Sequence, residues 1–579
     1  MIIQALKEYY DRKSADPSSG IAPLGWEWKE LPYLIVLKED GSFLHIEDTQ
    51  TIIGKKKRAK SFLVPQAVKR TVGIAANLLW DNVEYVTGIP CKGKTERVAE
   101  QHKAFIERLD VLDKSPLVAK VIDFLSKPEW IEQLQNDLAW KEAADSCAFI
   151  SFRIVGHDNP VFREPDVIDH ITSSNGKSTN NAGLCIITGR KDTIATLHPP
   201  IKGVKDTNTT GGNIVSYNFD AASSFGKKQG DNAPIGEQTA FEYTTALNSL
   251  LAKESHQKMN IGDATTVFWA SKPCKLEEDF VDIFGEPERD NPDKGVEAVK
   301  ALFNSVHDGA FSHDDEDNFF YVLGLSPNSA RISVRFWHMG TVAEMESRFC
   351  DWFENLRIVH GPNDREHLSL WRLLLSTAVQ SKSENIPPNL AGAVMRSILE
   401  GTPYPATLLS SVLLRIKVEQ NVTYPRAKLV KAFLIHNLKR SITVSLNKEN
   451  TNIGYRLGRL FATLEKIQLT ANPGINATIR DKFYASASST PAMVFGNLMR
   501  LKNYHLSKLD SVKLLTYYEK LLGEIIYQNQ DKPGIMSFPT HLSLEDQGQF
   551  AIGYYHQKQD FFVKKEEDSS AASDDNDAQ

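Results

Sequence analysis

Between about residue 341 and residue 527 the chain carries nine successive stretches of helical apolar spacing, at 341–357, 367–379, 388–401, 405–420, 424–440, 452–471, 475–488, 491–504 and 510–527. Apolar stripes repeated this often are buried against one another, which makes the back of the protein a helical bundle. The front reads differently. Residues 2–13 form a short helical pattern. Tyr33-Leu-Ile-Val-Leu37 and Ser42-Phe-Leu-His-Ile46 flank Glu39-Asp-Gly41, a hairpin signal. Residues 95–112 and 118–142 have helical spacing. Ala148–Val155, Cys185–Ile187, Asn213–Tyr217 and Thr265–Ala270 read as strands around a helical 239–251. Tyr321–Leu325 and Ala330–Trp337 read as one more hairpin. The expected class is α+β, with N-terminal and middle mixed α/β domains followed by a C-terminal all-helical bundle. The expected domains are 1–115, 116–340 and 341–565, with an acidic insertion near 277–318 and a disordered acidic tail at 566–579.

Net charge is only −6 over 579 residues, but the charge is segregated. Residues 55–97 hold ten Lys/Arg against three Asp/Glu. Residues 277–317 hold fourteen acids against three bases, and residues 415–508 hold sixteen bases against four acids. Two basic blocks, the second mixed with tyrosines, point to surfaces that meet a polyanion; solvated helix faces are the alternative for either block alone. In the acidic block, His313–Asn318 lacks the central Gly and terminal Glu of a calcium loop and is set aside.

The five cysteines are scattered, with no C-x-x-C knuckle, so free thiols in a reducing compartment are expected, with no metal and no cofactor. The sequence begins without a basic, apolar leader, and no stretch has the length of a membrane span. The expected location is cytoplasmic, with no membrane partner.

Gly88-Ile-Pro-Cys-Lys-Gly-Lys-Thr95 matches the phosphate-cradling pattern G-x-x-x-x-G-K-[ST], after a strand-like Val83–Val86. No downstream apolar strand ending in Asp offers a second magnesium ligand, and the strand–helix alternation of a nucleotide-hydrolysing fold is missing. A P-loop NTPase using Gly88–Thr95 is therefore the second reading, and a basic loop before a helix the plainer one. H-E-x-x-H, G-x-S-x-G and G-x-G-x-x-G are all absent, so no catalytic residues are expected.

An ordered set of stretches carries a resemblance. It includes Ile3–Tyr10, Leu63-Val-Pro65 with Asn77–Asn82, Ile187-Thr-Gly189 with Leu197-His-Pro199 and Ile201-Lys-Gly203, and Ile214–Asn218. It continues with Ser224-Phe-Gly226, Asn232-Ala-Pro234, Leu323–Asn328 with Arg331–Trp337, Gly454–Phe461, Asn476–Asp481 and Gly553–Gln557. Together they resemble the large subunit of the type I-C CRISPR Cascade surveillance complex. The resemblance implies a DNA-binding subunit and not an enzyme. Such a subunit reads the protospacer-adjacent motif (PAM) on double-stranded DNA, promotes opening and R-loop formation, stabilises the displaced single strand and offers a platform to a separate helicase–nuclease. The implied partners are crRNA, the crRNA-bearing backbone subunits, target DNA and small subunits related to this chain's own C-terminal region. Some relatives carry a C-x-x-C before the I-T-G stretch; here Ala182 stands opposite Cys185, so no zinc is expected there. A purely structural scaffold subunit is the third reading.

Duplex recognition needs cations for phosphates and short polar groups for base edges. By resemblance the PAM-reading loop is Gln66–Asn82, with Lys69, Arg70, Thr71, Gly73 and Asn77 as its candidates. Trp80 is expected in the core and Asn82 as a turn or capping residue. Lys55, Lys56, Lys57 and Arg58 supply backbone charge or edge a solvated hairpin. In the helical part Arg456, Arg459, Arg480, Lys482, Arg500 and Lys502, with tyrosines among them, suit a groove for DNA backbone or a single strand.

Overall fold

The computed structural model describes the chain except for residues 55, 69, 71–72, 113–114, 128, 175–181, 218–220, 222–223, 263, 286–290, 292, 308–316, 330, 388, 528–533 and 563–579, with the backbone alone at 53, 56, 174 and 305. The class is the expected α+β: sheets in the N-terminal part and a helical C-terminal part. The chain forms two compact units. One holds Met1–Gly203, Thr207–Lys253 and Asn328–Ile332; the other holds Val204–Asp206, Glu254–Pro327 and Ser333–Gln579.

In the first unit, helix α1 (Ile2–Ser14) buries Ala5, Leu6, Tyr9 and Tyr10. Its main sheet is ordered β2-β1-β4-β3, where β1 is Tyr33–Leu37, β2 Phe43–Asp48, β3 Trp80–Asn82 and β4 Phe149–Ile154. All five residues of β1 are buried, which is why that strand reads as an unbroken apolar run. It pairs antiparallel with β2 across the expected hairpin and parallel with β4. Gly41 closes the turn at φ 83°, a conformation that favours glycine. The sheet takes strands from both sides of residue 115. Helix α2 (Val83–Thr87) lies against β3 and β4, α3 (Thr95–Leu109) lies against α2, α4 (Trp140–Ser146) leads into β4, and α5 (Glu237–Leu250) lies against α1.

Three expected strands take another form. Val83–Val86 is the short helix α2, because Asn82 caps it by accepting the Tyr85 N–H at 3.1 Å. Ile186–Thr188 is a turn, closed by the Gly189 N–H on the Cys185 carbonyl. Of the expected strand Asn213–Tyr217, Asn213 alone pairs among the described residues, in an isolated parallel bridge with Arg331.

Most of a four-stranded sheet belongs to the second unit: β5 (Lys258–Ile261), β6 (Ala264–Ala270), β7 (Phe319–Asn328) and β8 (Arg331–Thr341), paired in chain order. A capping box at Thr341 and Glu344 then starts α6 (Val342–Leu356). The bundle follows, with α7 (Tyr424–Leu438), α8 (Ile453–Ala471), α9 (Ile479–Ser489), α10 (Pro491–Leu506), α11 (Val512–Ile526) and α12 (Leu544–Asp560). The α8–α12 pair is its spine. Gly454, Gly458 and Gly553 lie where any side-chain carbon would overlap backbone of the opposite helix. A buried polar ladder joins the same pair. The Tyr554 hydroxyl donates to Glu465 Oε2 at 2.6 Å, and the Tyr455 hydroxyl meets His556 Nδ1 at 3.0 Å.

Candidate nucleic-acid interface

The loop after Gln66 leaves a two-stranded ribbon, Trp26–Glu30 paired with Ser61–Pro65, and joins the edge of the main N-terminal sheet at Trp80. That junction is anchored by aromatic and polar burial. Trp80 is in the core, and its indole N–H donates to the Pro65 carbonyl at 2.8 Å. Leu79 takes φ 64°, and its carbonyl accepts from Ser151 Oγ at 2.6 Å. Asp81, next in the chain, is fully buried and gathers three donors from the described residues around it. Its Oδ2 accepts from the Asn77 N–H at 3.0 Å and from the Arg70 guanidinium. Its Oδ1 accepts from the Asn82 N–H at 2.9 Å. A buried carboxylate needs such a set of donors to stay charged.

Arg70 is therefore tied to the loop by its hydrogen bonds while staying open to solvent. Besides Asp81 it donates from Nε to the Ala75 carbonyl at 2.6 Å and lies over the Tyr85 ring at 4.1 Å. Asn77 is buried, and its Oδ1 accepts the Val68 N–H at 3.0 Å. Both residues hold the loop's shape. Gly73 stands exposed at φ 101°, with open space where a side chain would be. Lys69 and Thr71 lie outside the described residues. Among the described loop residues Val68, Arg70 and Gly73 are exposed, above a base fixed by the hydrogen bonds of Arg70, Asn77 and Asp81.

Residues 51–53 and 56–58 form a two-stranded antiparallel ribbon, so the basic run does lie on a hairpin edge. Lys57 reaches Glu142 at 2.7 Å, and Arg58 is exposed. For Lys56 only the backbone is described, and Lys55 lies outside the described residues.

The second basic block divides into an inner and an outer set. Arg426, Lys428, Lys431, Arg456 and Arg459 are all buried. Arg459 donates to Glu524 Oε1 at 2.6 Å and to Gln557 Oε1 at 3.1 Å. Burial pushes the Lys428 ammonium down to about 7 and that of Lys431 down to about 8. Arg480 is half-buried near Glu465 and Asp481, at 3.8 and 3.4 Å. The outer set is Lys482 on α9, Arg500 and Lys502 on α10, and Lys508 just beyond it; Lys482, Arg500 and Lys508 are exposed and Lys502 partly so. None of the four has an ion-pair partner among the described residues. Arg500, Tyr504 and Lys508 follow at i, i+4 and i+8, and the Lys508 ammonium lies 4.4 Å from the Tyr504 ring centroid. Ala485 and Ser486 on α9 and Gly496 and Asn497 on α10 are exposed small or short polar residues of the same helix pair.

The phosphate-loop pattern has a different geometry from the one its sequence suggests. The backbone N–H groups of Cys91, Lys92 and Gly93 converge on one oxygen, Glu84 Oε1, at 3.0, 2.6 and 2.6 Å. A carboxylate of the chain thus holds the place a phosphate would take. Burial raises the Glu84 pKa, but the three N–H bonds outweigh it and leave the group below its ordinary value. A helix, not a strand, leads into the loop.

The described residues thus give an α+β protein with a loop joined to a sheet edge and exposed cations without ion-pair partners on two neighbouring helices. The family model described as CRISPR-associated protein (Cas_Csd1) matches residues 6–562. The chain belongs to that family, the large subunits of the type I-C CRISPR Cascade complex. No curated protein matches it. Among the described residues no helix is long and apolar enough to cross a membrane.

Proposed function

We propose that this Cascade large subunit reads the PAM on duplex DNA with the 66–79 loop, promotes opening, and steadies the displaced strand on the α9–α10 face. The carrying observation is the buried Asp81. A loop whose base is fixed by a desolvated carboxylate and three donors is pre-organised, so little ordering cost is left for binding. Lys69, Thr71 and Gly73 then supply the contacts, with Arg70 and Asn77 as positioning residues. Lys482, Arg500 and Lys502 with Tyr504 suit phosphates and a stacked base held without sequence reading. The crRNA–DNA heteroduplex is about as stable as the duplex it replaces, so backbone contacts of this kind tip the exchange, and no hydrolysis by this chain is required. In this reading the subunit works in the cytoplasm beside crRNA, its backbone subunits and small subunits, and passes the opened target to a separate helicase–nuclease.

The test is a gel shift of duplex targets differing only in the PAM, using crRNA-loaded complex assembled with and without this chain. PAM discrimination that appears only with the chain present is the expected result. Discrimination that survives without it would leave the chain a scaffold.

A further inference from the structure

We propose that Glu84, Cys91 and Cys147 form a site for a thiophilic divalent cation of the zinc type, with water as fourth ligand. The two cysteines are 56 residues apart in sequence, yet one ligand atom from each and one Glu84 carboxylate oxygen all lie within 4.8 Å of one another. A tetrahedral zinc with bonds of about 2.3 Å to sulfur holds its sulfur ligands about 3.8 Å apart, so a contraction of about 1 Å seats the ion.

The surroundings fit a ligand set. Glu84 Oε1 is taken up by the three loop N–H groups, which fix the carboxylate, while Oε2 accepts no hydrogen bond from the described residues. Such outer bonds are what orient a metal-binding carboxylate. Cys147 ends α4 in a left-handed conformation, φ 51°, which a non-glycine residue keeps only where its surroundings hold it. Both cysteines are half-buried, so an ion has a way in. Two thiolates and a carboxylate around a dication leave one net negative charge. Lys92 stands beside it, with Nζ donating to the Ser146 carbonyl at 3.1 Å.

Loading the ion releases one proton from each thiol to solvent and forms two metal–sulfur bonds and one metal–oxygen bond. No electrons move, and binding tightens as pH rises. The bound ion would tie the loop at 91–93 to the chain entering β4.

The experiment uses the full chain, stripped with chelator and titrated with Co²⁺ and then Zn²⁺. We expect one Co²⁺ per chain with a thiolate charge-transfer absorption that Zn²⁺ abolishes. Cys91→Ser or Cys147→Ser weakens the band, the double variant removes it, Cys185→Ser keeps it, and Glu84→Gln weakens binding. A measurement on the unsubstituted chain guards against misfolded variants: Zn²⁺ protects Cys91 and Cys147 from N-ethylmaleimide, and chelator restores their labelling. The proposal is overturned by the absence of a thiolate band, by a band that persists in the Cys91→Ser/Cys147→Ser double variant, or by a Cys91–Cys147 disulfide in chain isolated with its thiols blocked.

Discussion

Gly458 lies against the backbone of Phe550 so closely that a methyl group on it would overlap the Phe550 carbonyl oxygen. The obstacle is backbone, not the end of a flexible side chain, so the helices themselves must part. Gly458→Ala is expected to destabilise the bundle by about 1–3 kcal/mol, the usual cost of overpacking. Gly496, in α10, has open space around it. Gly496→Ala is expected to cost nothing or to gain about 0.5–1 kcal/mol from helix propensity. Urea unfolding followed by circular dichroism compares the two. Equal midpoints would show that α8 and α12 do not approach each other at Gly458.

That approach also shows how far the sequence can be read. Gly454–Phe461 and Gly553–Gln557 both carry the family resemblance, but nothing in either says that they face each other. The helix 544–560 has no readable stripe because 548–557 are buried without a break, with Gln549, His556 and Gln557 inside. The helices at 424–440 and 452–471 are legible in outline, yet their spacing presents their cations as surface. Arg459 reaches Glu524 and Gln557 across the bundle, and linear spacing does not encode such partners. The family resemblance groups Arg70, Gly73 and Asn77 with Lys69 and Thr71. The buried Asp81, which divides Arg70 and Asn77 as holders from Gly73, is not among them. The Cys91–Cys147 approach is invisible there because the sheet, not a spacing motif, creates it.

Arg70→Ala leaves Asp81 with two backbone N–H donors and no cation. We expect a loss of about 1–3 kcal/mol in the N-terminal unit, the cost of an under-satisfied buried group. PAM discrimination by the assembled complex should fall with it. Arg70→Lys keeps the charge but loses the fork that serves both Ala75 and Asp81, so discrimination should fall there too. Duplex binding that still distinguishes the intact from the mutated PAM in both variants would remove Arg70 from the loop's function.

Lys428 gives the second unit a pH dependence. Its ammonium donates to the Glu366 carbonyl at 2.8 Å and the Leu356 carbonyl at 3.2 Å, yet burial lowers its pKa from 10.5 to about 7. Glu366 and Asp364 act to raise it, while Lys431 and Arg357 lower it further. Between pH 7 and 10 the unfolded chain therefore binds more protons than the folded one, and stability rises with pH. Below pH 7 both states carry the charge and the burial penalty is in full. Above pH 10 buried tyrosines such as Tyr455, pushed up to about 12, reverse the trend. Urea midpoints at pH 7, 8 and 9 should climb, and Lys428→Met should flatten much of the climb. Lys431, at about 8, accounts for a remainder. An identical climb in Lys428→Met would mean that Lys428 is not buried as described.

The division of the basic block into inner and outer cations predicts two separable phenotypes. Lys482→Ala and Arg500→Ala remove exposed charges without ion-pair partners among the described residues, so the unfolding midpoint should hold. The slope of log affinity against log salt should fall by roughly 0.7 for each single-strand phosphate that the variant no longer neutralises. Arg459→Ala should do the reverse. It strips Glu524 and Gln557 of a buried partner and lowers the unfolding midpoint, while the salt slope measured on folded protein stays the same. Salt titrations of the complex on a bubble-containing target, run beside unfolding curves, separate the two. A reduced slope in Arg459→Ala with an unchanged midpoint would put that arginine on the nucleic acid. Unchanged slopes in both Lys482→Ala and Arg500→Ala would take the displaced strand off the α9–α10 face.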